Sequence, residues 1–207
     1  MKKILYSALT LILGLVLSSS GCTHDTIDPA LFDEGVEING VTWATRNVGE
    51  FGKFAATPQD AGMFYQWNRK TAYSVIDPVS PAWDNSAISG PLDPKNDPCP
   101  DGWRMPTTNE VWNLMGSANI VRTWADGGWL ITDKTTLATM YIPAAGMRYY
   151  TNGNIFYGGT VTCLWTNYDR GGGEAHILQL SNDSPGDGLG SCYYIYGFSI
   201  RCVKGAK

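Results

Sequence analysis

Val36-Glu37-Ile38-Asn39-Gly40-Val41-Thr42-Trp43 alternates apolar and polar residues on both sides of Asn-Gly, the pair that accepts the positive φ angles of a two-residue turn. The octet predicts an antiparallel hairpin and sets the tone for the chain downstream. Met63-Phe64-Tyr65-Gln66-Trp67 reads as a buried extended segment. Thr139 to Ile142, Met147 to Tyr150, Asn154 to Tyr157, Val161 to Trp165, His176 to Leu180 and Phe198 to Val203 read as further strands separated by glycine-rich turns, with Asn152-Gly153 closing a second hairpin. Composition agrees. The 207 residues include 24 Gly, 11 Tyr and 8 Trp but only 16% charged residues, against about a quarter in an average domain. Short strands and wide aromatic packing use that mixture; long surface helices do not.

Two segments interrupt the strands. Asp77 to Gly102 holds Pro78, Pro81, Pro91, Pro94, Pro98 and Pro100, which forbids a ladder of backbone donors and predicts a long irregular loop. Thr107-Thr108-Asn109-Glu110 predicts the one main helix: Thr107 caps the first turn and Glu110 reaches back to the cap, a capping box. Val111, Leu114, Met115 and Ala118 share the face that would meet the sheet. Trp43, Trp67, Trp103, Trp112 and Trp165 lie within these elements and are assigned to the core. The expected class is α+β, mostly antiparallel β with one helix and long irregular loops. No internal repeat or low-complexity tract is visible.

At the N-terminus Lys2 and Lys3 precede an apolar run from Ile4 to Leu17 that breaks into Leu17-Ser18-Ser19-Ser20-Gly21-Cys22. The run spans about 14 residues, short of the ~20 that cross a bilayer, and has the form of an export signal. Its end resembles the lipobox of bacterial lipoproteins, with Ser19 as a departure. The resemblance implies that residues 1–21 are a lipoprotein signal peptide removed on export, that Cys22 carries the lipid, and that residues 22–35 tether residues 36–207 to a membrane, the outer membrane favoured and surface exposure allowed. Without residues 1–21 the charge is two units more negative than the −4 of the whole chain. An acidic surface offers nothing to phosphate backbones, so no nucleic acid partner is expected.

Cys99, Cys163, Cys192 and Cys202 form an even set in an exported chain and point to two disulfides; spacing alone leaves three pairings open. None has the close spacing of a zinc knuckle.

The blocks Ile38-Asn39-Gly40-Val41-Thr42-Trp43-Ala44-Thr45-Arg46-Asn47-Val48-Gly49, Phe64-Tyr65-Gln66-Trp67, Cys99-Pro100-Asp101-Gly102-Trp103-Arg104-Met105-Pro106-Thr107, Ile142-Pro143-Ala144-Ala145-Gly146-Met147-Arg148 and Ser199-Ile200-Arg201-Cys202-Val203, in that order, resemble the Fibrobacter succinogenes major paralogous domain, a family of Bacteroidetes and Fibrobacteres. Met105 stands where leucine is common. The resemblance covers residues 36–207 and implies a C-type-lectin-like fold, akin also to formylglycine-generating enzymes. It further implies nested bridges, Cys99 with Cys202 and Cys163 with Cys192, the outer one closing about 100 residues and stabilising by roughly 4–5 kcal/mol.

No catalytic residue is expected. His24 lies in the tether and His176 begins a strand, so no triad can be assembled. The enzymatic branch of the fold group needs two closely spaced reactive cysteines, whereas Cys192 and Cys202 lie on either side of a nine-residue, strand-like stretch with no adjacent Lys or His to lower a thiol pKa. No resident cofactor is expected; calcium is the ion that Asn167, Asp169, Asp183 and Asp187 would take, although the signatures of calcium-dependent sugar-binding lectins are absent. Asp183 and Asp187 also sit among Ser184, Pro185, Gly186 and Gly188, where turn geometry accounts for them. Aromatic side chains offer a metal-free route, since sugar rings stack on Trp and Tyr. The candidates are Trp83, Trp124, Trp129, Tyr168, Tyr193, Tyr194 and Tyr196. The sequence therefore points to a lipid-anchored, non-enzymatic adhesion or binding module for glycan or protein ligands, the alternative being a minor or tip subunit of a surface fibre or envelope complex.

Overall fold

A computed structural model describes residues 28–183 and 188–207. The expected signal peptide, the expected lipid attachment at Cys22, His24 and the candidate ligand Asp187 lie outside the described residues. In chain order the elements are β1 (Val36–Ile38), β2 (Val41–Asn47), β3 (Phe64–Tyr65), β4 (Ala72–Tyr73), β5 (Trp103–Arg104), α1 (Thr108–Gly116), β6 (Ile120–Ala125), β7 (Gly128–Asp133), β8 (Thr139–Pro143), β9 (Met147–Arg148), β10 (Ile155–Phe156), β11 (Val161–Gly171), β12 (Glu174–Ser181), β13 (Gly188–Tyr193) and β14 (Arg201–Lys204). They form sheets β1-β2-β14-β5, β6-β7-β8 and β11-β12-β13, plus the pairs β3-β4 and β9-β10. Every pairing between named strands is antiparallel, and α1 is the single α-helix among the described residues.

The opening octet forms its hairpin, with Ile38 opposite Val41 and both Asn39 and Gly40 at positive φ, the signature of a type I′ turn. The capping box is also present: Thr107 Oγ1 accepts from Glu110 N at 3.2 Å, and Thr107 N donates to Glu110 Oε2 at 2.7 Å. Arg104 adds a two-pronged contact to the same carboxylate. Burial works against the Glu110 charge, but the bonds from Arg104 and Thr107 outweigh it and hold the carboxyl below its usual range. From Asp77 to Gly102 no strand forms, only a 3-10 turn at Pro94–Asn96.

The sheet β11-β12-β13 organises the interior. Side chains alternate across a strand, so Val161, Cys163, Trp165, Ala175 and Ile177 enter one cluster with Tyr65, Trp67, Phe198 and Ile200. Leu164, Leu178 and Leu180 enter another with Val111, Leu114, Ile131 and Ile142. Arg201 ties β14 to β2 of its own sheet and to β8 of a neighbouring one. Its buried guanidinium donates to Asn47 Oδ1, Ala44 O and Tyr141 O at 2.9–3.0 Å, and burial lowers its pKa to about 9.

Several expectations are corrected. Trp112 is 58% exposed: Val111 and Leu114 face the sheet, and the next residue round the helix points to solvent. Ala118 lies beyond the helix end at Gly116 and is exposed. Residues 28–35 do not stand free as a tether. Ala30 O accepts from Phe54 N, and buried Asp33 accepts from Thr45 N, Thr45 Oγ1 and Arg46 Nε at 2.9–3.1 Å. One further hairpin forms: β6 and β7 pair across Asp126-Gly127, both at positive φ. Residues 120–125 carry arginine and threonine among their apolar residues, which hid the strand, although Asp-Gly is itself a turn signal.

The disulfide Cys99–Cys202 is formed, with its Cα atoms 6.0 Å apart and a sequence separation of 103 between the partners. The second implied bridge is not. Cys163 and Cys192 are free thiols, because β12 runs between their strands: Cys163 sits opposite Gln179, and Cys192 opposite Ala175. Two strand spacings, roughly 9–10 Å, separate the strands before any offset along them, and a disulfide needs Cα atoms within about 7 Å.

Candidate functional site

The loop region from Met147 to Thr160 builds one wall of a cleft, and the Val161/Gln179/Cys192 face of β11-β12-β13 builds the other. Arg148 anchors the wall from behind. Fully buried, it donates to Ser74 O, Ile76 O and Asp77 Oδ1 at 2.6–3.0 Å and to Gly153 O. Trp83 buttresses the β9–β10 turn: its indole packs so close to Gly153 that a Cβ there would lie 2.7 Å from the ring, and its Nε1 donates to Tyr150 O at 3.0 Å.

On this frame the aromatic rings form a chain. Tyr149 lies 4.7 Å from Tyr150, 5.1 Å from Phe156 and 5.6 Å from Tyr196. Tyr150 reaches Tyr196 at 5.1 Å and Tyr193 at 6.0 Å, and Tyr196 stacks on buried Phe198 at 5.6 Å. The network thus runs from the core to solvent. It borders a cavity of about 510 Å³ lined by Met147, Tyr149, Phe156, Tyr157, Cys192 and Tyr196. Met147 and Tyr157 also line a second cavity of about 480 Å³, whose other residues are Thr160, Val161, Gln179, Ser181 and Asp183. Each volume falls in the range of small-ligand sites. One half of the cleft offers rings, the other hydroxyls, an amide and a carboxylate.

Burial, helped by the neighbouring Tyr149, pushes the Tyr196 hydroxyl up to about 12, so it remains a neutral donor at physiological pH. The Tyr149 hydroxyl also rises, first through its hydrogen bond with Tyr150. Cys192 is pushed to about 11 by burial and the Glu174 charge, and burial raises Cys163 further. Neither thiol is primed as a nucleophile.

The sequence candidates divide among several places. Tyr193 ends the ring chain and Asp183 stands on the polar half of the cleft. Tyr194 belongs to the core, stacked on Trp67 at 5.9 Å with its hydroxyl donating to Asp169. Trp83 is a buttress rather than a presented ring, and Trp124 and Trp129 pair with each other at 5.4 Å across β6 and β7. Asn167 and Tyr168 lie elsewhere, with Thr107, Thr108, Asn109 and His176 round a cavity of about 310 Å³ at the head of α1. There Tyr168 covers the His176 ring at 4.5 Å, and His176 Nδ1 lies 3.2 Å from Thr108 Oγ1. Burial, with Arg170 nearby, lowers the His176 pKa.

The proposed calcium set is split by this placement. Val161 pairs with Ser181 at one end of the β11–β12 ladder, and Asp169 pairs with Ala175 near the other. Six to eight residues of strand, roughly 20–26 Å, separate Asn167 and Asp169 from Asp183, so one ion cannot take both. Among the described residues no three His, Cys, Asp or Glu side chains converge as a metal site.

From the sequence alone, Tyr149, Tyr150, Phe156 and Tyr157 read only as strand residues. The density of aromatics round Asn152-Gly153, followed by Gly158-Gly159, was the available signal, since rings at a hairpin tip cannot all reach the core. No family model, curated protein or solved structure matches this chain. The fold and site define a mostly antiparallel β domain with a tyrosine-lined surface cleft.

Proposed function

We propose that this chain is a cell-envelope lipoprotein, lipidated at Cys22, whose C-type-lectin-like domain of the Fibrobacter succinogenes major paralogous family is a non-enzymatic binding module for glycan or protein ligands. The observation that carries the binding role is the cleft. Its half-buried and exposed rings stand on a turn fixed by buried Arg148 and braced by Trp83, and preorganised aromatic surface binds with little entropy cost. The antiparallel sheets, single helix and long-range disulfide support the lectin-like reading, and the export signal and lipobox resemblance support the location.

The test is a binding screen of the detergent-solubilised full chain against immobilised glycans and matrix proteins, with calcium and with chelator. The expected result is binding that survives chelation, is lost in Tyr149→Ala and is retained in Tyr168→Ala. Loss in Tyr168→Ala with retention in Tyr149→Ala would move the site to the head of α1.

A further inference from the structure

Tyr157 is the one residue of the cleft whose backbone is out of keeping with its side chain. Its φ is +59°, a left-handed conformation natural to glycine and uncommon for a bulky residue. Three bonds to its carbonyl oxygen fix it there, from Thr160 N, Val161 N and Thr160 Oγ1 at 3.0–3.1 Å. Gly146 lets the segment seat: a Cβ on that residue would lie 2.3 Å from Phe156 O and 2.6 Å from Gly158 N. The conformation does not serve the core, because the ring is 60% exposed and meets only the edge of the aromatic chain, 6.3 Å from Phe156. It stands where the two halves of the cleft meet. Backbone strain that keeps an exposed ring in a cleft is a mark of ligand clamps.

The walls narrow the ligand class. Neither half is lined by lysine or arginine among the described residues, and Asp183 is the carboxylate on the polar side. An anionic ligand would meet no counter-charge and one like charge. We infer, on the reading that this cleft is the binding site, that the ligand is a neutral oligosaccharide of at least two pyranose rings lying across Tyr157. One ring stacks on the tyrosine half, and the next hydrogen-bonds the polar side chains beyond.

The test titrates the detergent-solubilised full chain with neutral tetrasaccharides of gluco, galacto, manno and N-acetyllactosamine type, each beside its uronic or sialylated counterpart and its monosaccharide, and with the matrix proteins of the screen. At least one neutral tetrasaccharide should bind, with its acidic counterpart and its monosaccharide each weaker by about tenfold or more. Tyr157→Gly and Tyr157→Asn, which suit the backbone, should weaken that binding about tenfold while leaving the melting temperature unchanged or higher; a packing role would lower it instead. Equal or tighter binding of acidic forms, equal binding of the monosaccharide, or unchanged binding by both variants would overturn the inference. If no oligosaccharide binds but a matrix protein does, in a manner abolished by Tyr149→Ala, the inference falls and the binding-module reading stands. If nothing binds, both fall.

Discussion

The two faces of the β11-β12-β13 sheet obey the same alternation and end differently. One face presents Leu164, Leu178 and Leu180 to α1 and β7–β8 and is sealed mainly by aliphatic side chains, with Trp43 the one buried aromatic ring among them. The other presents Trp165, Cys163 and Ile177 to an aromatic cluster and then, beyond Val161 and Cys192, runs out into a cleft that the β9–β10 wall leaves open. Aliphatic side chains branch and interdigitate until no gap remains. Flat rings joined edge to face leave slots between them, and their hydroxyls give those slots polar tips. The chain thus places a rigid seal and a receptive surface on opposite sides of one ladder.

The sharpest way to break the comparison is to loosen the aromatic side at its staple. Replacing Cys99 and Cys202 by alanine should cost about 4–5 kcal/mol, because the bridge closes a long loop in the unfolded chain; urea unfolding reads it. Next come two adjacent residues on opposite faces. Leu178→Ala should cost about 2–5 kcal/mol, whereas Gln179→Ala, on the cleft, should stay within about 0.5 kcal/mol. Equal costs would mean that the cleft face is core as well.

Alkali should separate tyrosines inside the aromatic side from those at its rim. Tyr194 and Tyr196 are pushed to about 12 by burial, from an ordinary value near 10. An acid whose folded pKa is raised gives stability that is complete below its unfolded pKa and lost as pH rises towards the folded one. The melting temperature should therefore hold to about pH 10 and fall between pH 10 and 12, while tyrosinate absorbance at 295 nm rises in two phases. A single phase near pH 10 would contradict this packing. Iodoacetamide at pH 8, followed by peptide mapping without reductant, should find Cys163 and Cys192 as thiols, with Cys192 alkylating first; a mapped bridge between them would require β12 to be displaced. The smallest effect belongs to Trp112→Ala, within about 0.5 kcal/mol, against about 3–5 kcal/mol for Trp165→Ala.

Features written in neighbouring residues were legible in the sequence. Asn39-Gly40 dictates its own turn, and Thr107 with Glu110 its own cap. The outer disulfide followed from the family resemblance. What failed depended on which strands become neighbours. Nothing in the spacing of Cys163 and Cys192 says that β12 inserts between them, and nothing in Asn167, Asp169 and Asp183 says that the ladder carries them to opposite ends. Trp112 misled because an aromatic residue in an amphipathic helix was assigned by its type rather than its angle. The cleft was half legible: Tyr193, Tyr196 and Asp183 were candidates, while its main wall from Met147 to Tyr157 passed as ordinary strand.

Hydrogen exchange on the full chain, with and without the tightest-binding member of the ligand panel, tests the central claim most directly. The cleft predicts new protection confined to residues 147–160 and to Gln179–Ser181 and Cys192–Tyr196. Protection at Thr107–Asn109 and Asn167–His176 instead would place the binding surface at the head of α1 and contradict the account.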